Sequence, residues 1–232
     1  MKIYSYQPVS LVQKIFEDGI VYPKKNIIFP SQDFELVSFF KKSYDWMNQK
    51  LQQKTPKPPQ ADYPFWGYYQ WNGIQKVQPD LRSSEAKNYC KKQPYCLLHL
   101  EIPDNEVLLS DYDAWHFVLN CWYLTSNSMR ELKEQELNQQ GLSLYKQEQL
   151  SQDILHLIQS SWDNVFDLET AATLLEISTS QSTIQATFWS ILKEYLQKII
   201  VFDGKSQRQF FNKKNFHIFQ TNYIGDFYVN HD

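Results

Sequence analysis

The sequence predicts a single α+β domain with a mixed or antiparallel split sheet flanked by helices. Three observations lead there. Candidate elements follow the order strand, helix, helix, strands, helices, strands, without the regular alternation of a doubly wound parallel sheet. The 232 residues are 42% hydrophobic and 21% charged, enough to bury one sizeable core. Aromatics reach 16% while glycine contributes only 6 residues, which favours packed strands over glycine-rich phosphate loops.

Taken in order, residues 2–7 alternate polar and apolar side chains and stop at Pro8, the pattern of a short strand. Residues 9–18 set Leu11, Val12, Ile15 and Phe16 on one helical face, with Gly19 at the C-cap. A second helix starts at Ser31, carries Asp33 and Glu35 in its first turn, and has an apolar stripe of Val37, Phe40, Tyr44, Met47 and Leu51. Residues 54–59 end it as a polyproline-like connector. Residues 65–71 read as a strand with aromatics on both faces, followed by a polar loop holding Asp80-Leu81-Arg82. Strands are expected at 96–102 and 107–109, then a helix from Asp111 to about Leu124. Residues 126–150 are rich in Gln, Glu and Lys and read as a solvated helical excursion; 153–166 are helical. Strands return at 183–191 and 196–202, and Asp203-Gly204 turns the chain into a hairpin tail. The domain is expected to span 1–202, with 203–232 as an extension.

Composition excludes several classes. A net charge of −3 and a pI near 6.0 advertise no surface for nucleic acid or an anionic membrane. Cys90, Cys96 and Cys121 are odd in number and form no C-x-x-C pair, so reduced thiols are expected rather than disulfides or structural zinc. No apolar run approaches the roughly 18 residues of a membrane span. The first residues lack a charged then apolar leader pattern, and no N-x-S/T acceptor occurs, so the expected location is the cytoplasm.

Candidate chemistry is sparse. Gly204-Lys205-Ser206 ends like a phosphate loop, but Ile199 stands where its first glycine belongs, so the string reads as a turn. Ser110 to His116 packs Asp111, Asp113 and His116 into one turn. As a site these would divide acid and base roles in a hydrolase; as structure, Ser110-x-x-Asp113 is a capping box. Asp113 and His116 are three apart on one helical face, and metal binding by that pair needs a third ligand from elsewhere. The aromatic strand offers Trp66, Tyr68 and Trp71 as a stacking platform, or as core. Arg82 reads either as a fork for phosphate or as a partner of Asp80 or Glu85. In the 183–191 strand, Gln185, Thr187 and Trp189 share a face, either the wall of a cleft or the wet side of an edge strand.

Several strings together resemble a family of small bacterial cytosolic proteins described as a domain of unknown function. They are Tyr6-Gln7-Pro8, Ser43-Tyr44-Asp45-Trp46, the run from Tyr63 to Tyr68, Pro79-Asp80-Leu81-Arg82, the run from Leu108 to His116, Leu119-Asn120, the run from Ser161 to Asp167, and that from Ile184 to Trp189. The likeness covers roughly residues 1–202 and implies no activity; the tail after Asp203 departs from it. The layout is also similar to that of ADP-ribosyltransferases, whose first strand offers Arg or His, a middle strand Tyr or Ser, and a late strand Gln-x-Glu. That resemblance implies Gln7 in the first place, Tyr68 or Trp66 in the second, Gln185-Ala186-Thr187 in the third, and NAD as cofactor. Thr187 stands where the catalytic Glu belongs and Gln7 where His or Arg belongs, so the implied triad is degenerate or altered. The expected site is a cleft lined by Gln7, Tyr68, Trp71, Gln185 and Arg82 that takes a nucleotide-like molecule, with Gln185 on a ribose hydroxyl and Arg82 on the diphosphate. The alternatives are a protein-binding module presenting residues 126–150, and the hydrolase of Asp111, Asp113 and His116. The first reading requires Gln7, Tyr68 and Gln185 to converge.

Overall fold

Antiparallel pairing dominates the molecule. A computed structural model describes residues 1–24, 34–74, 77–91, 93–144, 149–203 and 208–224. Its main sheet contains β1 (Lys2–Pro8), β3 (Phe65–Gln70), β4 (Tyr95–Glu101), β5 (Leu108–Asp111), β6 (Ile184–Phe188), β8 (Leu196–Phe202) and β9 (Arg208–Asn212). Their order is β5-β6-β3-β1-β4-β8-β9, every pair antiparallel. β2 (Ile20–Val21) and β7 (Ile191–Leu192) form a separate two-stranded ribbon. The α+β class and the antiparallel pairing are therefore as the sequence predicts.

Helix α1 (Val9–Asp18) has the expected bounds and buries Leu11, Val12, Ile15 and Phe16. Gly19 closes it with φ 77°, its amide donating to the Ile15 carbonyl at 3.1 Å, a left-handed cap that glycine adopts without strain. α2 (Phe34–Lys54) buries Met47 and Leu51; the expected start at Ser31, with Asp33, and the side chain of Val37 lie outside the described residues. The remaining helices are α3 (Ser84–Tyr89), α4 (Tyr112–Leu119), α5 (Asn127–Gln139), α6 (Gln152–Ser161), α7 (Leu168–Leu174) and α8 (Phe216–Tyr223). α4 stops earlier than its periodicity suggests, because Cys121 turns the chain with φ 53°. α5 is the largely exposed excursion anticipated, anchored by Leu137.

Register divides the sheet into two faces. Ile3, Ser5 and Gln7 lie opposite Leu100, Leu98 and Cys96 on one; Tyr4 and Tyr6 lie opposite His99 and Leu97 on the other. α1 and α8 cover the first face with Phe16 and Phe219, whose ring centroids are 5.5 Å apart. The second face meets a helical layer around Met47, Trp115 and Trp162, and beside it an aromatic cluster around Tyr6 and Tyr68. β9 hydrogen-bonds along β8, so residues beyond 203 complete the sheet edge. The turn string Gly204-Lys205-Ser206 lies outside the described residues. β6 corrects one alternative: it runs between β5 and β3 and is buried on both faces, so it is no wet edge.

Cys96 and Cys121 are buried and Cys90 is half-buried, each a thiol outside any disulfide. Among the described residues, no helix is long and apolar enough to cross a membrane.

Candidate functional site

Alternation along β1 sends Tyr4 and Tyr6 to one face, and pairing extends that face sideways. Ser110, Gln185, Tyr68, Tyr4, His99 and Lys198 are successive cross-strand neighbours, forming a row across the sheet. A short helix closes over one flank of this row. α3 starts because the Ser83 hydroxyl accepts from the Ala86 amide at 3.1 Å, and buried Leu81 and Ala86 hold it down. It delivers Glu85 and Tyr89, while the start of α4 delivers Tyr112.

The result is a cluster of tyrosines. The Tyr6 ring lies 5.0 Å from that of Tyr89 and 6.3 Å from that of Tyr68, and Tyr68 lies 6.0 Å from Tyr112. Tyr95 extends it, 5.3 Å from Tyr89. The Tyr68 hydroxyl donates to the Glu85 carboxylate. The Tyr6 hydroxyl is buried and has no hydrogen-bond partner among the described residues. The same holds for Trp66 Nε1 and His99 Nε2, both on this face of the sheet. Such orphans are rare in folded proteins.

Burial, then the negative charge of Glu85, pushes the phenols of Tyr6, Tyr89 and Tyr112 up; for Tyr68 the hydrogen bond to Glu85 adds to burial. All four stay neutral donors at physiological pH. Burial, assisted by Lys198, pushes His99 down to about 4, so its ring is neutral.

The structure separates the expected triad. Gln7 lies on the opposite face of the sheet from Tyr68, and its Nε2 donates to Ser5 Oγ at 2.9 Å. Convergence of Gln7, Tyr68 and Gln185 is therefore corrected: only Tyr68 and Gln185 meet, as direct cross-strand neighbours. Gln185 and Thr187 are buried and spend their donors internally, Gln185 Nε2 on Ser110 Oγ at 3.0 Å and Thr187 Oγ1 on the Leu108 carbonyl at 3.2 Å. Trp66 packs against Tyr44 and Trp115, while half-buried Trp71 borders the tyrosine cluster. Arg82 takes the structural alternative, gripping Asp80 with Nε at 3.0 Å and Nη2 at 2.9 Å on an exposed loop.

The capping box is shifted by one residue. Asp111, not Ser110, caps α4, its Oδ1 accepting from the Ala114 amide at 2.9 Å; Ser110 is consumed by Gln185. Asp113 and His116 are exposed, and His116 Nδ1 lies 2.9 Å from its own helix's Tyr112 carbonyl. Among the described residues, no group of three His, Cys, Asp or Glu could hold a metal ion. Burial raises the Asp111 carboxyl, opposed by the Ala114 amide and raised further by Asp113. Asp111→Asn keeps the cap acceptor without a buried charge, so at pH 7 its stability should equal or exceed the wild type. Asp111→Ala should lose about 1 kcal/mol in urea unfolding. Equal damage from both variants would contradict the capping role.

The sequence gives Tyr6, Tyr89 and Tyr112 no expected role, and Glu85 only that of a candidate partner of Arg82. The alternation of Tyr4 and Tyr6 was a usable signal, whereas six-residue α3 shows no periodicity that would bring Glu85 and Tyr89 to β1.

Residues 2–197 match the family described as "Domain of unknown function (DUF3841)", and the chain belongs to it. No curated protein and no solved structure matches the chain.

Proposed function

We propose that this DUF3841 protein binds a small nucleotide-like molecule, setting an aromatic ring of the ligand against the tyrosine cluster, with NAD as one member of that class. The observation that carries the reading is the Tyr6 hydroxyl. Tyr6 is 8% exposed, is ringed by Tyr68, Tyr89 and Phe202, and its hydroxyl has no partner among the described residues. Leaving a buried hydroxyl unpaired costs about 1–3 kcal/mol, which a ligand acceptor or donor recovers. Of the surrounding residues, Tyr89 is 39% exposed, and Glu85 and Tyr112 are half-buried. ADP-ribosyl transfer draws no support from this arrangement, since Gln7 is on the far face and Arg82 is held by Asp80.

Calorimetric titration and thermal shift with NAD, AMP, adenosine and nicotinamide test the reading on wild type and Tyr6→Phe. At least one compound should bind the wild type and raise its Tm. Tyr6→Phe should fold, gain about 1 kcal/mol without ligand because the orphan is gone, and lose most of the ligand response. Silence of all four compounds on the wild type, or undiminished binding by Tyr6→Phe, would overturn it.

A further inference from the structure

We infer that the cavity between α2 and α6 is a further binding site, and that the ligand it fits is a free α-amino acid with an apolar side chain. None of the four rings of the tyrosine cluster lines this cavity, so a ligand here requires nothing of the site proposed above.

Three features carry it. The first is space. The cavity holds about 500 Å³, within the range of small-molecule sites and enough for one amino acid with accompanying water. The second is an apolar wall that is held in place. Leu155 and Ile158 come from α6, and Trp162 follows directly at its end. The Trp162 indole N–H donates to the Trp122 carbonyl at 2.9 Å, and the Leu124 amide donates to Ser161 Oγ at 2.9 Å, tying this end of α6 to the loop after α4. On the other side, Ser43 Oγ donates to the Val118 carbonyl at 2.6 Å and fastens α2 to α4. The walls are thereby set before a ligand enters, and what Leu155, Ile158 and Trp162 present to it is apolar surface. The third is the rim. Lys42 reaches the cavity from α2 and Asp153 from α6, with His156 three residues further along the same helix; all three are exposed. Other lysines of α2 are committed, Lys41 to Asp45 and Lys50 to Asp163. Among the described residues, Lys42 and Asp153 have no ion-pair partner. An ammonium from one helix and a carboxylate from the other match the carboxylate and the ammonium of a zwitterion. A ligand of single charge would use one and leave the other idle.

Calorimetric titration of the full chain with leucine, leucinamide, isocaproate and glycine separates these contributions. Leucine carries both charges and the side chain; leucinamide lacks the carboxylate, isocaproate the ammonium, and glycine the side chain. Leucine should bind tightest, with each of the other three roughly tenfold weaker. Lys42→Met should weaken leucine and isocaproate about tenfold and leave leucinamide unchanged. Asp153→Asn should weaken leucine and leucinamide and leave isocaproate unchanged. Both positions are exposed, so both variants should fold. Leucine binding no tighter than leucinamide or isocaproate, or undiminished by both substitutions, overturns the zwitterion assignment. Glycine binding as tightly as leucine overturns the role of the apolar wall, and silence of all four compounds overturns the site.

Discussion

Gly67→Ala should destabilise the fold by about 3 kcal/mol, at the upper end for an overpacked interior. A methyl group at Gly67 would sit 2.6 Å from Ile3 Cγ2 and 2.9 Å from the Tyr4 carbonyl oxygen. Ile3 can rotate, but the carbonyl belongs to β1, which is hydrogen-bonded on both sides by β3 and β4. The strand must therefore move, and the same stretch carries the Ser5 hydroxyl bond to the Trp66 carbonyl, 2.7 Å long. Ordinarily, replacing glycine in a strand gains about 0.5–1 kcal/mol of backbone entropy; here the clash outweighs it. For a chain of this length the loss corresponds to a Tm lower by roughly 6–12 °C. Scanning calorimetry reads it directly. An alanine variant melting with the wild type would mean that β1 and β3 are further apart than described.

Acidification should unfold the protein in part through His99. Its folded-state pKa is pushed down to about 4 by burial and by Lys198, whereas the unfolded chain binds that proton near 6.5. Between those values the unfolded state holds more protons, so stability is intact above pH 6.5, falls as the pH drops toward 4, and levels off below it. The ring is not fully enclosed, and solvent screening brings the total loss to roughly 2 kcal/mol. Carboxylates titrate at the lower end of the same window. The informative quantity is therefore the difference between wild type and His99→Gln, measured by urea unfolding at pH 7, 6, 5 and 4.5. The variant should overtake the wild type progressively on acidification. A difference independent of pH would show that His99 ionises as freely folded as unfolded.

Both effects depend on pairing between distant segments, which marks what was readable beforehand. α1 and its Gly19 cap were legible to the residue, because helical spacing and a left-handed glycine are local signals. Strands β1, β4 and β8 were legible from alternation and short apolar runs, and the α+β class from their order. The cap of α4 was misplaced by one residue: Ser110 and Asp111 both cap well, and only the demand of Gln185 for Ser110 Oγ decides between them. Arg82 had two adjacent carboxylates to choose from, and loop geometry chose Asp80.

The face of each sheet residue was the decisive unknown. Alternation states that Gln7 opposes Tyr4 and Tyr6, but whether Tyr68 joins Gln7 or Tyr4 depends on how β3 registers against β1. A slip of one residue exchanges every side chain between faces, so a register set by packing reverses any site inferred from strand pattern alone. The amino-acid order by itself determined α1, the strands β1, β3, β4 and β8, and the aromatic stock from which a site is built. Tertiary structure alone decided that Tyr6, Tyr68, Tyr89 and Tyr112 gather around Glu85 while Gln7 turns away, because long-range pairing and a short capped helix bring together residues that share no local periodicity.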